Sequence, residues 1–191
     1  MRSPDTEWVF DGGRPCLDLV NTLRSRHLGG VELLTGPDAL AEWLELAGFT
    51  VGAASVTSGH LIAARALREA VDKLLLAVAE SKAPRPADVQ LINEAAAAAP
   101  PLPPRLRVER GGEVRREVPP PPDPVASAFA VLAVDAIELA AGEAAVRICA
   151  ADDCGLRFCD ASPRRTRQWC SMARCGNRAK ARAHYARTKN R

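Results

Sequence analysis

The order of apolar and polar positions reads as helix through most of the first 142 residues. In PCLDLVNTLRSR, the residues Leu17, Val20, Leu23 and Leu28 fall on roughly one helical face. In LLTGPDALAEWLELAG the apolar stripe is Leu40, Trp43 and Leu44, with Thr35 as the expected N-cap, Pro37 in the first turn, Asp38 three residues past the cap and Gly48 as the stop. Leu61, Leu67, Val71, Leu74, Leu75 and Val78 predict a longer helix from about Ser58 to Glu80, with His60 near its start as a surface or capping residue. PADVQLINEAAAAAP predicts a shorter helix closed by Pro100, its alanine run reflecting helix propensity.

The period then changes. RLRVERGGEVRREV alternates side chains around a Gly-Gly pair, which predicts a β-hairpin with one charged, solvated face. Pro119 to Pro124 form a stiff spacer, and PVASAFAVLAVDAIELAAG predicts a largely buried helix to about Ala141 with Gly142 as its stop. Beyond it VRIC reads as a strand entering a loop, and CGNRAKARAHYAR as a helix opening near Cys175 with Asn177 as a cap. The expected fold is mainly α: a helical N-terminal domain with a small β-hairpin over residues 1–142, then a small treble-like strand-loop-helix module over 143–191.

Composition narrows the class. The chain has 191 residues, 47% of them hydrophobic and only 4% aromatic, which suits close-packed helices. No uninterrupted run of about 18 apolar residues occurs, and the start MRSPDTEWVFDGGRP lacks a signal-peptide stretch, so neither a membrane span nor export is expected. The expected compartment is the reducing cytoplasm, where clustered cysteines serve as metal ligands or reactive thiols.

Charge is polarised. Residues 147–191 hold twelve Lys/Arg against three acids, a net of +9, whereas the first 146 residues carry 14 bases and 20 acids, a net of −6. An anionic partner for the C-terminal segment would explain the imbalance, and a solvated basic face is the plain alternative.

The same segment contains five of the six cysteines. Cys149, Cys154, Cys170 and Cys175 form the pattern C-x4-C-x15-C-x4-C, in which each short loop can turn two sulfurs toward one ion. A tetrahedral zinc site is the first reading and a pair of redox couples the second. Four thiolates would fill the zinc shell, making the site structural and supplying folding energy to a module of about 45 residues. Cys159 has no place in such a shell unless it replaces Cys154. It reads as a packed residue, as does Cys16, and Trp169 as a residue packed on the metal loops.

CAADDCGLRFCDASP and RQWCSMARCGNRAKARAHYAR resemble the CGNR zinc finger, whose tetrapeptide is Cys175, Gly176, Asn177 and Arg178. GGRPCLDLVNTL and ELLTGPDALAEWL resemble the ABATE domain, and the two occur in the expected order. The resemblance covers nearly the whole chain and implies a bacterial, stress-induced transcription regulator that binds DNA. It also implies Cys149, Cys154, Cys170 and Cys175 as metal ligands, while Cys159 and the spacer SPRRTRQ depart from the family pattern.

The candidate nucleic-acid contacts are Arg164, Arg165, Arg167, Arg174, Arg178, Lys180 and Arg182, since guanidinium groups form directional bonds to phosphates and guanine edges. Arg174 or Arg178 could instead neutralise the negative Zn(Cys)4 centre. The expected partners are DNA, a second copy of the chain and a small-molecule effector, with the N-terminal domain sensing a ligand or mediating dimerisation. Two alternatives stand beside this. One is a zinc-shaped protein-docking module; the other is a ligand-binding protein or enzyme whose pocket contains Asp18, Asn21 and Arg24 at helical spacing. No nucleophile or open metal position is evident, so catalysis is not expected.

Overall fold

The computed structural model describes residues 7–52, 55–99, 102–142 and 144–189, with backbone alone at 183, 184, 186 and 189. About half the chain is helical. Helix α1 (Pro15–Val20) leads into a short ribbon of β1 (Leu23–Arg24) and β2 (Val31–Glu32), then α2 (Pro37–Leu46), α3 (Ser58–Ala79) and α4 (Pro86–Ala98). A hairpin of β3 (Arg105–Val108) and β4 (Val114–Glu117) precedes α5 (Pro124–Ala141). The C-terminal part is a second hairpin, β5 (Ala145–Ile148) with β6 (Arg157–Asp160), followed by a wide π-type turn over Met172–Gly176 and by α6 (Asn177–Lys189).

One core holds the helices together. Leu17, Leu40, Trp43, Leu44, Leu67, Leu75, Ile92 and Leu132 are almost wholly buried in it, and α5 packs on α1, α3 and α4. Helix α3 starts as its residues demand: the Thr57 hydroxyl accepts from the His60 amide, and His60 Nδ1 accepts in return from the Thr57 amide. This reciprocal cap fixes His60 as a capping residue. Val78, read above as core, is 41% exposed, at the rim of a groove it shares with Val89 and Ile137.

Three expectations need correction. The first helix stops at Val20 rather than running through Leu28: the Thr22 hydroxyl bonds back to the Leu19 carbonyl, the Asn21 side chain is engaged elsewhere, and Ser25 takes a left-handed φ of 48°. Leu23 and Leu28 therefore do not continue the apolar face, and Leu28 is exposed. The residue at the N-cap of α2 is Gly36, not Thr35, and no side chain caps that end. Asn177 is already helical at the start of α6; the Ser171 hydroxyl, upstream of the π-type turn, receives the Arg174 amide instead. Among the described residues, α5 is the one helix long and apolar enough to cross a membrane, with Ser127, Asp135 and Glu138 interrupting its apolar run. Eight of its residues are buried in this core, while Val131, Val134 and Ile137 stay about two-fifths exposed. Pro100, the expected stop of α4, lies outside the described residues.

Candidate metal centre and its basic surround

Two loops bring the sulfurs together. The β5–β6 hairpin carries Cys149 at the end of one strand and Cys154 in its turn, where the Cys149 amide donates to the Leu156 carbonyl and the Cys154 amide to Ala151. Gly155 closes this turn at φ 66°, and a Cβ there would lie 2.6 Å from His27 Nδ1, so both the backbone and the space demand glycine. The second loop begins at Cys170 and winds through the π-type turn to Cys175; a bond from the Ala150 amide to the Gln168 carbonyl ties the two loops.

All four sulfurs lie within 4.8 Å of one another, and all four residues are buried. Cys154 Sγ is 3.8 Å from Cys170 Sγ, which is 3.7 Å from Cys175 Sγ. A tetrahedral ion with metal–sulfur bonds of about 2.3 Å requires sulfur–sulfur separations of about 3.8 Å, whereas a disulfide requires about 2.05 Å. The donor set thus fits a tetrahedral thiophilic ion and does not fit a pair of disulfides. The Cys154 thiol is lowered to about 5, first by the hydrogen bond it shares with Cys170, while burial raises Cys175 to about 12. The Cys170 amide and the Arg178 guanidinium, each 3.5 Å from a sulfur, point donors at Cys149 and Cys175 respectively. Negative charge on the sulfurs is stabilised by both.

The module has its own small core: Val9, Leu156 and Phe158 join the four cysteines as its buried residues, with Trp169 packed against it. Cys159 is not among them. It packs at the edge of the helical core, where its amide bonds the Gly12 carbonyl, and Cys16 is buried within that core.

Most of the candidate DNA contacts are engaged within the protein. Arg167 lies over the Phe158 ring at 4.7 Å, donates to the Trp169 carbonyl at 2.7 Å, and also bonds the Cys170 carbonyl. Arg174 pairs with Asp11 at 3.1 Å. Asp153 holds both Arg178, at 3.0 Å, and Arg182, at 2.7 Å, and those guanidinium groups keep its carboxyl below the usual range. Arg165 takes a left-handed φ of 47°, and its carbonyl accepts from Arg147. Arg164 and Lys180 are exposed and form no ion pair among the described residues. Asp160, which sequence reasoning passed over, is the buried organiser of the spacer: it accepts from the Ser162 amide and hydroxyl and from the Arg167 amide.

Asp18, Asn21 and Arg24 fall on different elements. Asp18 lies on α1 and accepts from the Gly12 amide, Asn21 follows the helix, and Arg24 lies on β1, so the helical spacing assumed for the three is broken. The Arg24 guanidinium is buried, with Nε and Nη1 unpartnered among the described residues. Asn21 instead docks the metal module. Its amide pairs with the backbone of Arg157 in both directions, at 2.9 and 2.8 Å, as a neighbouring strand would. Arg157 then reaches Asp72 on α3 through two bonds of 2.8 and 3.3 Å, and His27 Nε2 lies 2.8 Å from the Asp152 carbonyl oxygen.

A helical domain fastened to a strand-loop-helix module whose four clustered cysteines could hold a metal ion defines the class. The ABATE family, described as "Putative stress-induced transcription regulator", matches residues 13–143, and the CGNR zinc finger matches residues 145–188. The chain belongs to the ABATE family and carries a CGNR zinc finger. No curated protein matches it.

Proposed function

We propose that this chain is a DNA-binding transcription regulator whose CGNR module is built around a structural zinc ion held by Cys149, Cys154, Cys170 and Cys175. The observation that carries the metal is the 3.7–3.8 Å spacing of buried sulfurs, which matches the edge of a zinc–thiolate tetrahedron. With all four positions taken by protein, the ion holds the two loops in register and offers no site for substrate, so the reading assigns the chain no reaction.

DNA contact is supported by the net +9 of residues 147–191 on that module. Arg167 and Arg178 act as internal braces in this reading. Contact with phosphate falls to Arg164, Lys180, Arg182 and Arg187, with Asp153 orienting Arg182. Titration of the zinc-loaded protein with random duplex at several salt concentrations tests this. Retention should fall linearly on a log–log plot, and each of Arg164→Ala and Lys180→Ala should flatten the slope by about 0.9 per lost phosphate contact. No retention at low salt would leave the protein-docking reading in its place.

The N-terminal domain serves in this proposal as sensor or dimerisation unit. A cavity of about 410 Å³ between α3, α4 and α5, lined by Leu67, Leu91 and Phe129 with His60, Glu94 and Asp123 among its walls, favours an effector site there rather than at Asp18.

A further inference from the structure

Among the described residues, the β3–β4 hairpin is largely exposed. Every residue of β3 is exposed, Glu117 alone in β4 is half-buried, and nothing lies within 4 Å of where a Cβ on Gly111 or Gly112 would project. Its register pairs Arg105 with Glu117, Leu106 with Arg116, Arg107 with Arg115 and Val108 with Val114. One face is therefore charged. There Glu117 bridges Arg105 at 3.0 Å and Arg107 at 3.5 Å, and Arg115 reaches Glu109 and Glu113. The other face carries Leu106, Val108 and Val114, with Val118 continuing it, around Arg116; Leu106 is 77% exposed and Val108 67%. A lone two-stranded hairpin is marginal in water, and burying such a face is what would hold it.

We propose that this hairpin is an arm that docks, through its apolar face, on α5 of a second copy of the chain, with the second copy's arm returning the contact about a two-fold axis. The proposal rests on reading the N-terminal domain as the dimerisation unit. Three observations favour a second copy. Helix α5 leaves Val131, Val134 and Ile137 exposed as a stripe, so the chain carries both halves of an apolar contact. Residues 105–117 hold five arginines and three glutamates, net +2, leaving the rest of the first 146 residues at −8. Arg116 forms no ion pair among the described residues, while Glu138, one turn beyond Val134, keeps a side chain that is 65% exposed although it pairs with Arg14 at 3.2 Å. The exposed parts of these apolar side chains sum to on the order of 650 Å² per copy, about 1,300 Å² for a symmetric pair, within the range of specific interfaces.

Sedimentation of the full zinc-loaded chain, at concentrations up to about 100 µM, tests the arm. The wild type should reach twice the chain mass of 20.4 kDa. The double variant Leu106→Glu with Val114→Glu, and separately Val134→Arg, should each sediment as monomers with unchanged helical circular dichroism, because all three positions are exposed. Mixed in equal amounts, the two variants should form a heterodimer: one contact is then wild type on both sides and the other sets glutamates against an arginine. A monomeric wild type overturns both the arm and the dimerisation reading. A dimer that survives the arm variant, or a mixture that stays monomeric, overturns the arm on α5 and leaves dimerisation standing. An arm variant that keeps the dimer mass but loses duplex DNA makes the hairpin a DNA ribbon and overturns the proposal.

Discussion

Asp72 is the anchor by which the helical domain holds the metal module, and its removal tests the junction. Its side chain is 8% exposed and that of Arg157 11%, so neither charge is well solvated if the other is lost. Deleting one partner of a buried pair costs about 3–5 kcal/mol. Asp72→Ala should fall at the lower end, about 3 kcal/mol, because Arg157 keeps its bond to the Gly155 carbonyl and Arg26, also within 3.5 Å of Asp72, keeps Glu69. For a chain of this size that corresponds to a fall in Tm of about 6–12 °C. Urea denaturation of the zinc-saturated protein should be run on Asp72→Ala, Arg157→Met and the double variant. The double variant should be less destabilised than the singles combined, by about 2 kcal/mol, since it leaves no orphaned charge. A loss below about 1 kcal/mol for Asp72→Ala, or strictly additive losses, would refute the reasoning.

Chelation of the metal, or Cys170→Ser, should unfold residues 144–189 while the helical domain persists, because four of the seven buried residues of the module's core are the cysteines themselves; limited proteolysis with mass spectrometry should find the new cleavages confined to that segment. Gly155→Ala should destabilise the first metal loop by about 1–3 kcal/mol, from both its positive φ and the His27 ring, read as faster zinc transfer to a chelator. Burial lifts the Asp18 carboxyl to about 7, against the Gly12 amide that lowers it. Since the folded state then holds the proton more tightly than the unfolded chain, this site's contribution to stability declines as pH rises from about 4 to 7. Asp18→Asn, which can still accept from Gly12, should therefore raise the Tm more at pH 8 than at pH 5; equal shifts at both would show that Asp18 is not strained by ionisation.

The helices and the sulfur cluster were legible in the sequence because each is specified locally. Apolar spacing identified α2 through α5 and the cysteine loops identified the four-sulfur cluster, since a few adjacent residues decide each. The end of α1 was not legible: the residues that break it, Asn21 and Thr22, are neutral in a helical pattern, and Asn21 leaves the helix to pair with a strand 136 residues away. The basic surface was over-read for a related reason. Composition counts arginines but does not show that Asp153 holds two of them, Asp11 a third, and the ring of Phe158 together with two carbonyls a fourth. Asp160 and Arg157 carried no signal at all, being single charged residues in a short strand that are buried only when the chain closes.

Arg157 ends a row of buried and half-buried charges. Glu32 holds Arg68 through bonds of 2.6 and 2.7 Å, Arg68 meets Glu69 at 2.9 Å, Glu69 meets Arg26 at 2.8 Å, Arg26 lies 3.5 Å from Asp72, and Asp72 holds Arg157. Three carboxylates alternate with three guanidinium groups, with Arg65 also 3.5 Å from Glu32 at one end, and each interior member has an opposite charge on both sides. A junction of packed leucines would be at least as stable, because desolvation removes most of what such pairs gain. The row differs from such a junction in directionality. Forked bonds from Arg157 to Asp72, added to the strand-like pairing of Asn21, admit one orientation of the metal module, whereas apolar side chains would tolerate several. We infer that the charges set the orientation of the module on the helical domain. The same double-variant cycle can decide it: replacing both Asp72 and Arg157 with leucine should leave stability within about 1 kcal/mol of wild type while broadening the amide resonances of residues 144–189, and sharp, unshifted resonances would show that packing alone sets the orientation.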